Sequence, residues 1–527
     1  MSGEKHKLVV IGAGPAGLSS AYEMLEKSGD WQVTVLEASP FIGGISRTVE
    51  RNGNRFDIGP HRFFSKSDEV NALWDKLMPR QGAPAKDDVL LNRRCSLAAG
   101  GPDPEKTDRV MLRRHRLTRI FYLKHFFDYP ISIKPATFLA MGLVRTWKAA
   151  WSYLYSMFFK RPEKSLEDFY INRFGKVLYS MFFEDYTEKV WGVHPSRLGA
   201  DWGSQRVKGL SVTTVIKDMI AKKLKHDKSL PQKEVETSLI EQFIYPKHGP
   251  GQLWETVAEE IRRRTGEVVN DSEVKTIHVE GNRVTSVDVC TSGTMENHRC
   301  DHLLSSMPIK DLVAALRGIE VPAEVRDIAS RLAYRDFITV GLLVKTMKIK
   351  NKTKIATYDN RIPDTWVYVQ ERDVKIGRMQ IFNNWSPYMV QDLEKTVWIG
   401  MEYFANEGDE LWEASDEDFI AMANKEICDI KVVSEEDILD ATRIRVKKAY
   451  PAYFDSYHDF PLVKAYLDTI DNLYCVGRNG QHRYNNMDHS ILTALTAVRS
   501  ILDPENVSKE AVWEVNTEKE YHETKAK

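Results

Sequence analysis

The residues with the clearest chemical meaning form the glycine turn Gly12-Ala13-Gly14-Pro15-Ala16-Gly17 near the start of the chain. Gly12 permits a tight turn, Gly14 lets the backbone approach a pyrophosphate, and Gly17 allows close helix packing. A helix that begins here points free N–H groups and a positive dipole end at the phosphates. Glu37 follows the next strand, where its carboxylate can accept both ribose hydroxyls. This spacing predicts a dinucleotide site.

A second glycine pair, Gly43-Gly44, stands shortly downstream and is followed by Ser46 and Arg47. The pair resembles the pattern of a large class of FAD flavoproteins that includes amine oxidases, protoporphyrinogen oxidase and UDP-galactopyranose mutase, and it favours FAD over NAD. The resemblance implies further cofactor contacts: Val274 at the adenine, Gly477 at the ribityl phosphate, and Met487 and Asp488 at the pyrimidine edge of the flavin. Because the loop 480–486 contains no cysteine, we expect the flavin to be bound non-covalently.

Several blocks resemble UDP-galactopyranose mutase in particular, and they follow one another in the same order. They are Phe56-Asp57-Ile58-Gly59-Pro60-His61, Asp185-Tyr186-Thr187-Glu188-Lys189-Val190-Trp191-Gly192, Gly203-Ser204-Gln205-Arg206, Tyr245-Pro246-Lys247-His248-Gly249, Arg378-Met379-Gln380-Ile381-Phe382-Asn383-Asn384-Trp385, Ala449-Tyr450-Pro451 and Gly477-Arg478-Asn479-Gly480-Gln481-His482-Arg483-Tyr484. By this resemblance, N5 of the reduced flavin attacks the anomeric carbon of a UDP-sugar, UDP leaves, and the N5-sugar adduct opens and recloses through another hydroxyl. The implied function is the interconversion of pyranose and furanose nucleotide sugars, with NAD(P)H as the external reductant.

A departing diphosphate needs fixed cations, and the planar fork of arginine suits phosphate oxygens. The resemblance assigns this role to Arg206 and Arg378, and hydroxyl hydrogen bonds to Tyr450 and Tyr484. It also implies roles for four further residues: Arg478 bridging flavin and substrate, His61 beside the isoalloxazine, and Trp366 and Tyr368 against a uracil ring.

Each of these residues has a simpler interpretation, as a solvated arginine, a histidine packed at a turn or a buried tyrosine. The resemblance weakens at 84–116 and 217–233, and Arg62 adds a cation beside His61, so the sugar and the nucleotide stay open. The rival function is an FAD-dependent oxidoreductase of the amine oxidase and protoporphyrinogen oxidase type, in which substrate hydride goes to N5. A flavin-binding protein without turnover is a third interpretation. Paired arginines and tyrosines favour the diphosphate.

The elements that position these residues begin with a βαβ unit, in which strands at 8–11 and 32–37 flank a helix that closes at Gly29. We predict an α/β fold with a Rossmann-type FAD-binding domain built from the discontinuous segments 1–83, 240–320 and 465–505. A mainly helical substrate domain is expected over 84–239, an antiparallel β-sheet domain over 321–464, and a flexible tail over 506–527.

The bulk composition narrows the class further. A chain of 527 residues is longer than a single hydrophobic core usually serves. Its formal net charge of -1 gives no overall positive potential that would attract nucleic acid. Five cysteines without CxxC spacing predict reduced thiols and no metal site. The N-terminus has no signal peptide pattern, so we expect a cytoplasmic protein. We also expect a homo-oligomer.

The longest apolar stretch, 137–159, is interrupted by Arg145 and Lys148, which disfavours a membrane span. We expect a mostly buried helix there. The alternative is a helix that docks on a membrane surface or on a partner, for example one of glycan assembly.

Overall fold

The computed structural model describes residues 5–59, 61–129, 135–200, 242–453 and 455–516. Its centre is a five-stranded sheet that is parallel throughout. In spatial order the strands are Leu473–Cys475, His302–Ser305, His6–Ile11, Trp31–Leu36 and Glu267–Val269. Parallel strands are covered on both faces, which explains why the last four residues of His6–Ile11 are all buried. The α/β fold predicted from the sequence is confirmed.

Three distant parts of the chain share this sheet. The helix Pro15–Lys27 makes the first crossover, and it packs against Pro250–Arg263 and Met487–Leu502. The unit built on this sheet is therefore discontinuous in sequence and combines segments from near the start and near the end of the chain.

A four-stranded sheet follows Glu267–Val269 in sequence. Its order is Thr294–Arg299, Arg283–Thr291, Ser272–Glu280 and Leu316–Arg317; the first three are antiparallel and the last pair is parallel. The turns of the antiparallel part fall at Gly281 and Gly293, both with positive φ. Two antiparallel two-stranded sheets complete the set: the hairpin of Thr48–Arg51 with Asn54–Asp57, and the long-range pair of Met111–His115 with Gln242–Pro246.

The largest sheet has seven strands. Their order is Ile438–Pro451, Tyr334–Val344, Val397–Ala405, Arg378–Ile381, Trp366–Val369, Thr118–Tyr122 and His125–Asp128. All neighbours are antiparallel except Trp366–Val369 and Thr118–Tyr122. The last two strands belong to 84–239, which the sequence suggested to be mainly helical. Their β-branched and aromatic residues suit strands, but a charged, glycine-rich neighbourhood conceals that signal.

The rest of that interval is helical over Pro135–Met141, Leu143–Phe158, Leu166–Tyr179 and Asp185–Trp191, with a π-helical turn at Ser180–Glu184. The prediction of a mostly buried helix at 137–159 is wrong, since Trp147, Trp151 and Phe158 are exposed. The side of this helix that packs inward consists of small residues instead, including Ala149 and Ser156.

The other helices lie around the sheets. They are Asp68–Leu77, Lys86–Leu90, Pro250–Arg263, Ile309–Ala315, Ala323–Arg331, Phe382–Trp385, Glu410–Glu413, Asp416–Asp429, Phe460–Asp468, Gly477–Gly480, Met487–Leu502 and Ala511–Glu514. Residues 506–516 belong to the segment predicted as a flexible tail, yet Val512 and Trp513 are buried and Arg483 donates to the Trp513 carbonyl at 2.6 Å. Over the described ranges, no helix has the length and apolarity needed to cross a membrane.

Candidate active site

The glycine turn follows directly from the first strand. Gly12 has φ +94°, and a Cβ there would lie 2.2 Å from Oγ of Ser306. A Cβ at Gly17 would lie 1.8 Å from the Gly12 carbonyl oxygen, so both positions require glycine. Around a Cβ at Gly14, by contrast, the nearest atom is Cα of Gly44 at 3.9 Å, which leaves open space at the start of the helix. The turn is closed by protein on one side and open to a ligand on the other.

Glu37 stands at the end of the second strand as predicted. Its carboxylate accepts hydrogen bonds from the backbone N–H of Ala13 at 2.8 Å and from the N–H and hydroxyl of Ser39 at 3.0 and 2.7 Å. These bonds fix the carboxylate beside the glycine turn. Arg47 lies nearby with its guanidinium over the Phe41 ring at 4.0 Å, and burial lowers its pKa while Glu37 opposes that shift.

A cavity of about 610 Å³ runs along these residues. It is lined by most of the residues that the sequence assigns to the cofactor: Gly12, Gly14, Pro15, Ala16, Glu37, Gly44, Ser46, His61, Val274, Gly477, Arg478 and Met487. Gly477 has φ +77°, and a Cβ there would approach Cβ of Ala16 to 2.8 Å. The C-terminal strand therefore reaches the first helix only because position 477 is glycine.

Four predicted cofactor residues do not line this cavity. Gly17 packs against the turn itself, and Gly43, with φ +96°, donates its N–H to the Ala13 carbonyl at 2.8 Å. Arg47 is close enough to Glu37 to interact with it electrostatically, and Asp488 faces a neighbouring cavity instead. There the Asp488 carboxylate accepts a hydrogen bond from the Ser65 hydroxyl at 3.1 Å.

The neighbouring cavity measures about 560 Å³ and shares Ile45, His61, Arg478 and Met487 with the first. The two cavities thus meet at a common wall. His61 stands in that wall with its Nδ1 buried and without a partner. Burial and the neighbouring Arg478 lower the pKa of His61 to about 4, so the imidazole is neutral at pH 7.

Arg378 is a buried residue in the lining of this second cavity. It is the register partner of Glu402 across two antiparallel strands, and its Nη2 is 2.5 Å from the Glu402 carboxylate. Nη2 also donates to the Tyr450 hydroxyl at 2.8 Å, while Nε has no partner. Burial alone would lower the pKa of Arg378, but the Glu402 carboxylate raises it well above its ordinary value. The guanidinium therefore stays charged.

Two tyrosines and a second arginine form a stack beside it. The rings of Tyr450 and Tyr484 are 5.6 Å apart and inclined by 18°, and the Arg478 guanidinium lies 4.5 Å from the Tyr484 ring centre. Arg478 is anchored by hydrogen bonds to the carbonyls of Asn485 and Ala449 at 2.8 and 3.2 Å. Burial raises the pKa of Tyr450 to about 12, so its hydroxyl keeps its proton.

The remaining predicted substrate residues are divided. Trp366 lines the second cavity and lies 5.1 Å from the Arg378 guanidinium. Tyr368 is opposite Arg378 in the sheet register, but its ring packs on Tyr129 at 4.9 Å, and it is not among the residues that line the cavity. Arg206 lies outside the described residues.

Two residues that line the second cavity were given no role by the sequence analysis, Glu402 and Arg62. Glu402 holds Arg378, and its signal is a lone carboxylate within the apolar strand Val397–Ala405. Arg62 was noticed only as an extra cation: it donates to the Thr118 hydroxyl at 2.8 Å and lies between the rings of Trp366, Phe243 and Trp385. Burial and the nearby Arg116 lower the pKa of Arg62 to about 9, which still leaves it charged at pH 7.

Charges in the second cavity are unbalanced. Five cationic side chains line it against three carboxylates, which gives a local excess of two positive charges in a chain of net charge -1. The cations are Arg62, Lys66, Arg116, Arg378 and Arg478, and the carboxylates are those of Glu402, Asp488 and Glu514. Among the described residues there is no cluster of ligands suited to a metal ion. The cavity is therefore suited to an anionic ligand.

The first cavity fits a flavin dinucleotide. Gly14 opens the backbone to a pyrophosphate, no acidic residue stands in the first turn of Pro15–Lys27, and the Glu37 carboxylate lies where a ribose would reach it. The Rossmann-type sheet and this site together define a flavoprotein that binds FAD. A family model, described as flavin containing amine oxidoreductase, matches residues 15–502, and the chain belongs to that family.

Solved structures extend the likeness over nearly the whole chain, at low sequence identity. A reduced UDP-galactopyranose mutase is 18% identical, with a TM-score of 0.73 and coverage of 96% of this chain and 97% of that one. A putative protoporphyrinogen oxidase from Exiguobacterium sp. 255-15 is 16% identical, with a TM-score of 0.63 and coverage of 94% and 98%. At such identities the likeness concerns the fold.

Curated relatives match over short segments only. A zeta-carotene desaturase of Zea mays is 44% identical over 76 residues, which are 14% of this chain and 13% of that enzyme. Coproporphyrinogen III oxidase of Bacillus subtilis (strain 168) is 33% identical over 101 residues, 18% of this chain and 22% of that enzyme. The chain thus matches less than a quarter of the length of either relative.

Proposed function

We propose that this flavoprotein is a nucleotide-sugar mutase that interconverts pyranose and furanose forms. The observation that carries the proposal is the wall formed by Arg378, Tyr450, Tyr484 and Arg478 in the cavity that adjoins the flavin cavity. Two guanidiniums and two phenol hydroxyls on one surface are the donors that a diphosphate requires.

The residues of the wall have separate tasks in such a reaction. Arg378 and Arg478 bind the diphosphate and stabilise the charge that grows on it as the bond to the sugar breaks. Glu402 holds Arg378 at a fixed position, so the guanidinium needs little reorganisation when that charge appears. The Tyr450 hydroxyl, which keeps its proton, can donate to a phosphate oxygen while accepting from Arg378.

The junction of the two cavities would face the reacting part of the cofactor. FAD, when bound and reduced, supplies the nucleophile for the anomeric carbon in this type of reaction. His61 is neutral there, so it can orient a neighbour through a hydrogen bond without adding a positive charge. Trp366 borders the cavity as a flat apolar surface suited to a nucleobase.

A second candidate is oxidation of an anionic substrate. Cations that bind a diphosphate can also bind carboxylates, and the cavity has aromatic walls at Trp74, Phe243 and Phe337. The matched relatives include a coproporphyrinogen oxidase and a desaturase. The two candidates differ in electron balance, because a mutase leaves the substrate at its original oxidation level.

The experiment that separates the candidates incubates the purified flavoprotein with UDP-galactose or UDP-galactofuranose, without oxygen, before and after reduction by dithionite or NADPH. Ring forms are resolved by chromatography. Interconversion only after reduction, with many turnovers per reducing equivalent, supports the mutase; the same assay with other nucleotide sugars defines the sugar and the base. In a parallel assay with oxygen present, consumption of oxygen with coproporphyrinogen, together with no interconversion of any nucleotide sugar, would establish the oxidase instead.

A further inference from the structure

An exposed apolar surface lies far from the glycine turn in sequence, on the helices of residues 135–159. Eleven of the twenty large hydrophobic side chains that are exposed in the described part of the chain belong to this short segment. They are Phe138, Leu139, Leu143, Val144, Trp147, Trp151, Leu154, Tyr155, Met157, Phe158 and Phe159. We call these residues the aromatic patch. Such a concentration is unusual for a protein surface that contacts only water.

The helix Leu143–Phe158 carries the patch on its outward side. At 100° per residue, the exposed apolar residues of this helix fill one continuous face, which includes Leu143, Trp147, Trp151 and Phe158. Trp147 is 67% exposed and Phe158 75% exposed. A helix that covers a protein core has the reverse arrangement, with its large apolar residues turned inward.

The opposite face of the helix is firmly packed. Ala149 and Ser156 are buried, and the Ser152 hydroxyl accepts a hydrogen bond from the N–H of Val177 at 3.2 Å. Gly175 approaches so closely that a Cβ there would lie 2.7 Å from the Tyr153 nitrogen. Small residues therefore hold this helix against Leu166–Tyr179, and the outward direction of the tryptophans follows from that packing.

The segment that carries the patch has charges of one sign only. Residues 135–162 contain four cations, Arg145, Lys148, Lys160 and Arg161, and no acidic residue. All four are exposed or partly exposed: Lys148 lies at the edge of the apolar face, Arg145 lies on the opposite side of the helix, and the other two follow its end. A surface of this kind is complementary to anionic lipid headgroups. Pairing of two copies across the same patch would instead bring cations against cations.

We propose that the aromatic patch docks this protein on the surface of an anionic lipid bilayer. The tryptophans and Tyr155 enter the headgroup region, where amphipathic aromatic rings are favoured, and Lys148 contacts lipid phosphates. The helix lies in the plane of the interface, since Arg145 and Lys148 are too costly at the centre of a bilayer. The lipid surface is a second ligand of the chain, independent of the sugar chemistry.

Vesicle flotation with the full-length flavoprotein tests this proposal. Vesicles of phosphatidylcholine alone are compared with vesicles that also contain phosphatidylglycerol, at low and high salt. We expect the protein to float with the anionic vesicles, with a blue shift of its tryptophan fluorescence, and binding to weaken as salt is raised. The variant Trp147→Ser/Trp151→Ser/Phe158→Ser should bind the anionic vesicles at least about tenfold more weakly than the wild type.

A matched variant, Met295→Ser/Leu439→Ser/Leu462→Ser, removes three exposed apolar side chains elsewhere and should bind like the wild type. Flavin content per chain verifies that each variant folds. Lys148→Gln should lose about fivefold on anionic vesicles and little on phosphatidylcholine, whereas Arg145→Gln, on the opposite side of the helix, should lose less. No flotation of the wild type would overturn the proposal. So would a wild-type dimer in sedimentation equilibrium that the tryptophan variant converts to monomer without any vesicle binding, because the patch would then join two copies.

Discussion

The two adjoining cavities are built in different ways. The flavin cavity is defined by backbone. Glycines at 12, 14, 44 and 477 leave room for a ligand or for another segment of the same chain, where any side chain would intrude. The second cavity is defined by side chains, above all Arg378, Glu402, Tyr450 and Arg478, which come from separate strands and a C-terminal turn. The first construction fixes a cofactor class, whereas the second can change its ligand by single substitutions. Cofactor and substrate specificity are thus separable in this molecule.

The largest effect is expected from Gly14→Val, which tests whether the backbone of the glycine turn defines the flavin cavity. The new side chain would fill the open space at the start of Pro15–Lys27 without a strained φ, so the chain should fold but lose its flavin almost completely. Absorbance at the flavin bands relative to protein measures the loss. Gly29→Val, at an exposed glycine with no atom near its Cβ, should keep the flavin; equal loss in both variants would show a general folding defect.

The second prediction concerns the second cavity, which is defined by side chains. Arg378→Gln should lower turnover of the nucleotide sugar by on the order of a hundredfold to a thousandfold, as for loss of one donor to a developing negative charge, while flavin remains bound. Steady-state kinetics at saturating and low substrate measures kcat and kcat/KM. Loss of flavin instead would mean that Arg378 supports the cofactor site.

Arg119 provides the matched control for that variant. It forms a buried pair with Asp364 at 2.5 Å in the same sheet, and it is as little exposed as Arg378, but it does not line the cavity. Breaking either pair leaves a buried carboxylate uncompensated and should destabilise the fold by about 3–5 kcal/mol. Only Arg378→Gln should reduce turnover per folded molecule, so equal kinetic losses in the two variants would remove the special role of Arg378.

A smaller effect is expected for Tyr450→Phe. The ring keeps its stack with Tyr484, but the hydroxyl that accepts from Arg378 is lost, which should reduce kcat/KM about tenfold, the value of one hydrogen bond to a charged group. Competition by UDP separates binding from chemistry. An unchanged Kd for UDP and an unchanged kcat would place the hydroxyl outside the reaction.

The smallest effect concerns His61, at the junction of the two cavities. Its pKa is lowered to about 4 in the fold, below the value of about 6.5 in an unfolded chain, so the unfolded state binds more protons between these pH values. Its contribution to stability is present above pH 6.5 and is lost as the pH falls towards 4. His61→Asn should therefore make the unfolding free energy less dependent on pH in this window, by up to about 1.4 kcal/mol per pH unit, in denaturant titrations at several pH values. An unchanged slope would show that the pKa of His61 is not lowered in the fold.

Sequence patterns predict the flavin cavity better than the second cavity, because the first is built from a local backbone turn and the second from side chains of separate strands. Glycine turns are local: the spacing of Gly12, Gly14 and Gly17 dictates a backbone shape, and the structure has that shape. The ion pair of Arg378 and Glu402 depends on the register between two strands, and no local pattern contains it. The resemblance to a known family supplied Arg378 but not its partner.

Burial of the aromatic stretch at 137–159 is the instructive error. Hydrophobic residues usually lie inside, and the helical period there gives no hint of which face packs inward. The direction is decided by the small residues Ala149, Ser152 and Ser156, which fit closely against Gly175 of the next helix. The bend at Gly175 requires a positive φ, and it becomes visible only in the folded chain.

Binding of UDP to the flavoprotein is the measurement that tests the central claim most directly, because the claim is that the side-chain wall beside the flavin is a diphosphate site. UDP titrated into wild-type protein should perturb the flavin absorbance with saturable, salt-sensitive binding. The perturbation should persist in Arg119→Gln and disappear over the same concentration range in Arg378→Gln. Binding of equal affinity in wild type and Arg378→Gln, or no binding of UDP or any other nucleoside diphosphate to the wild type, would contradict it.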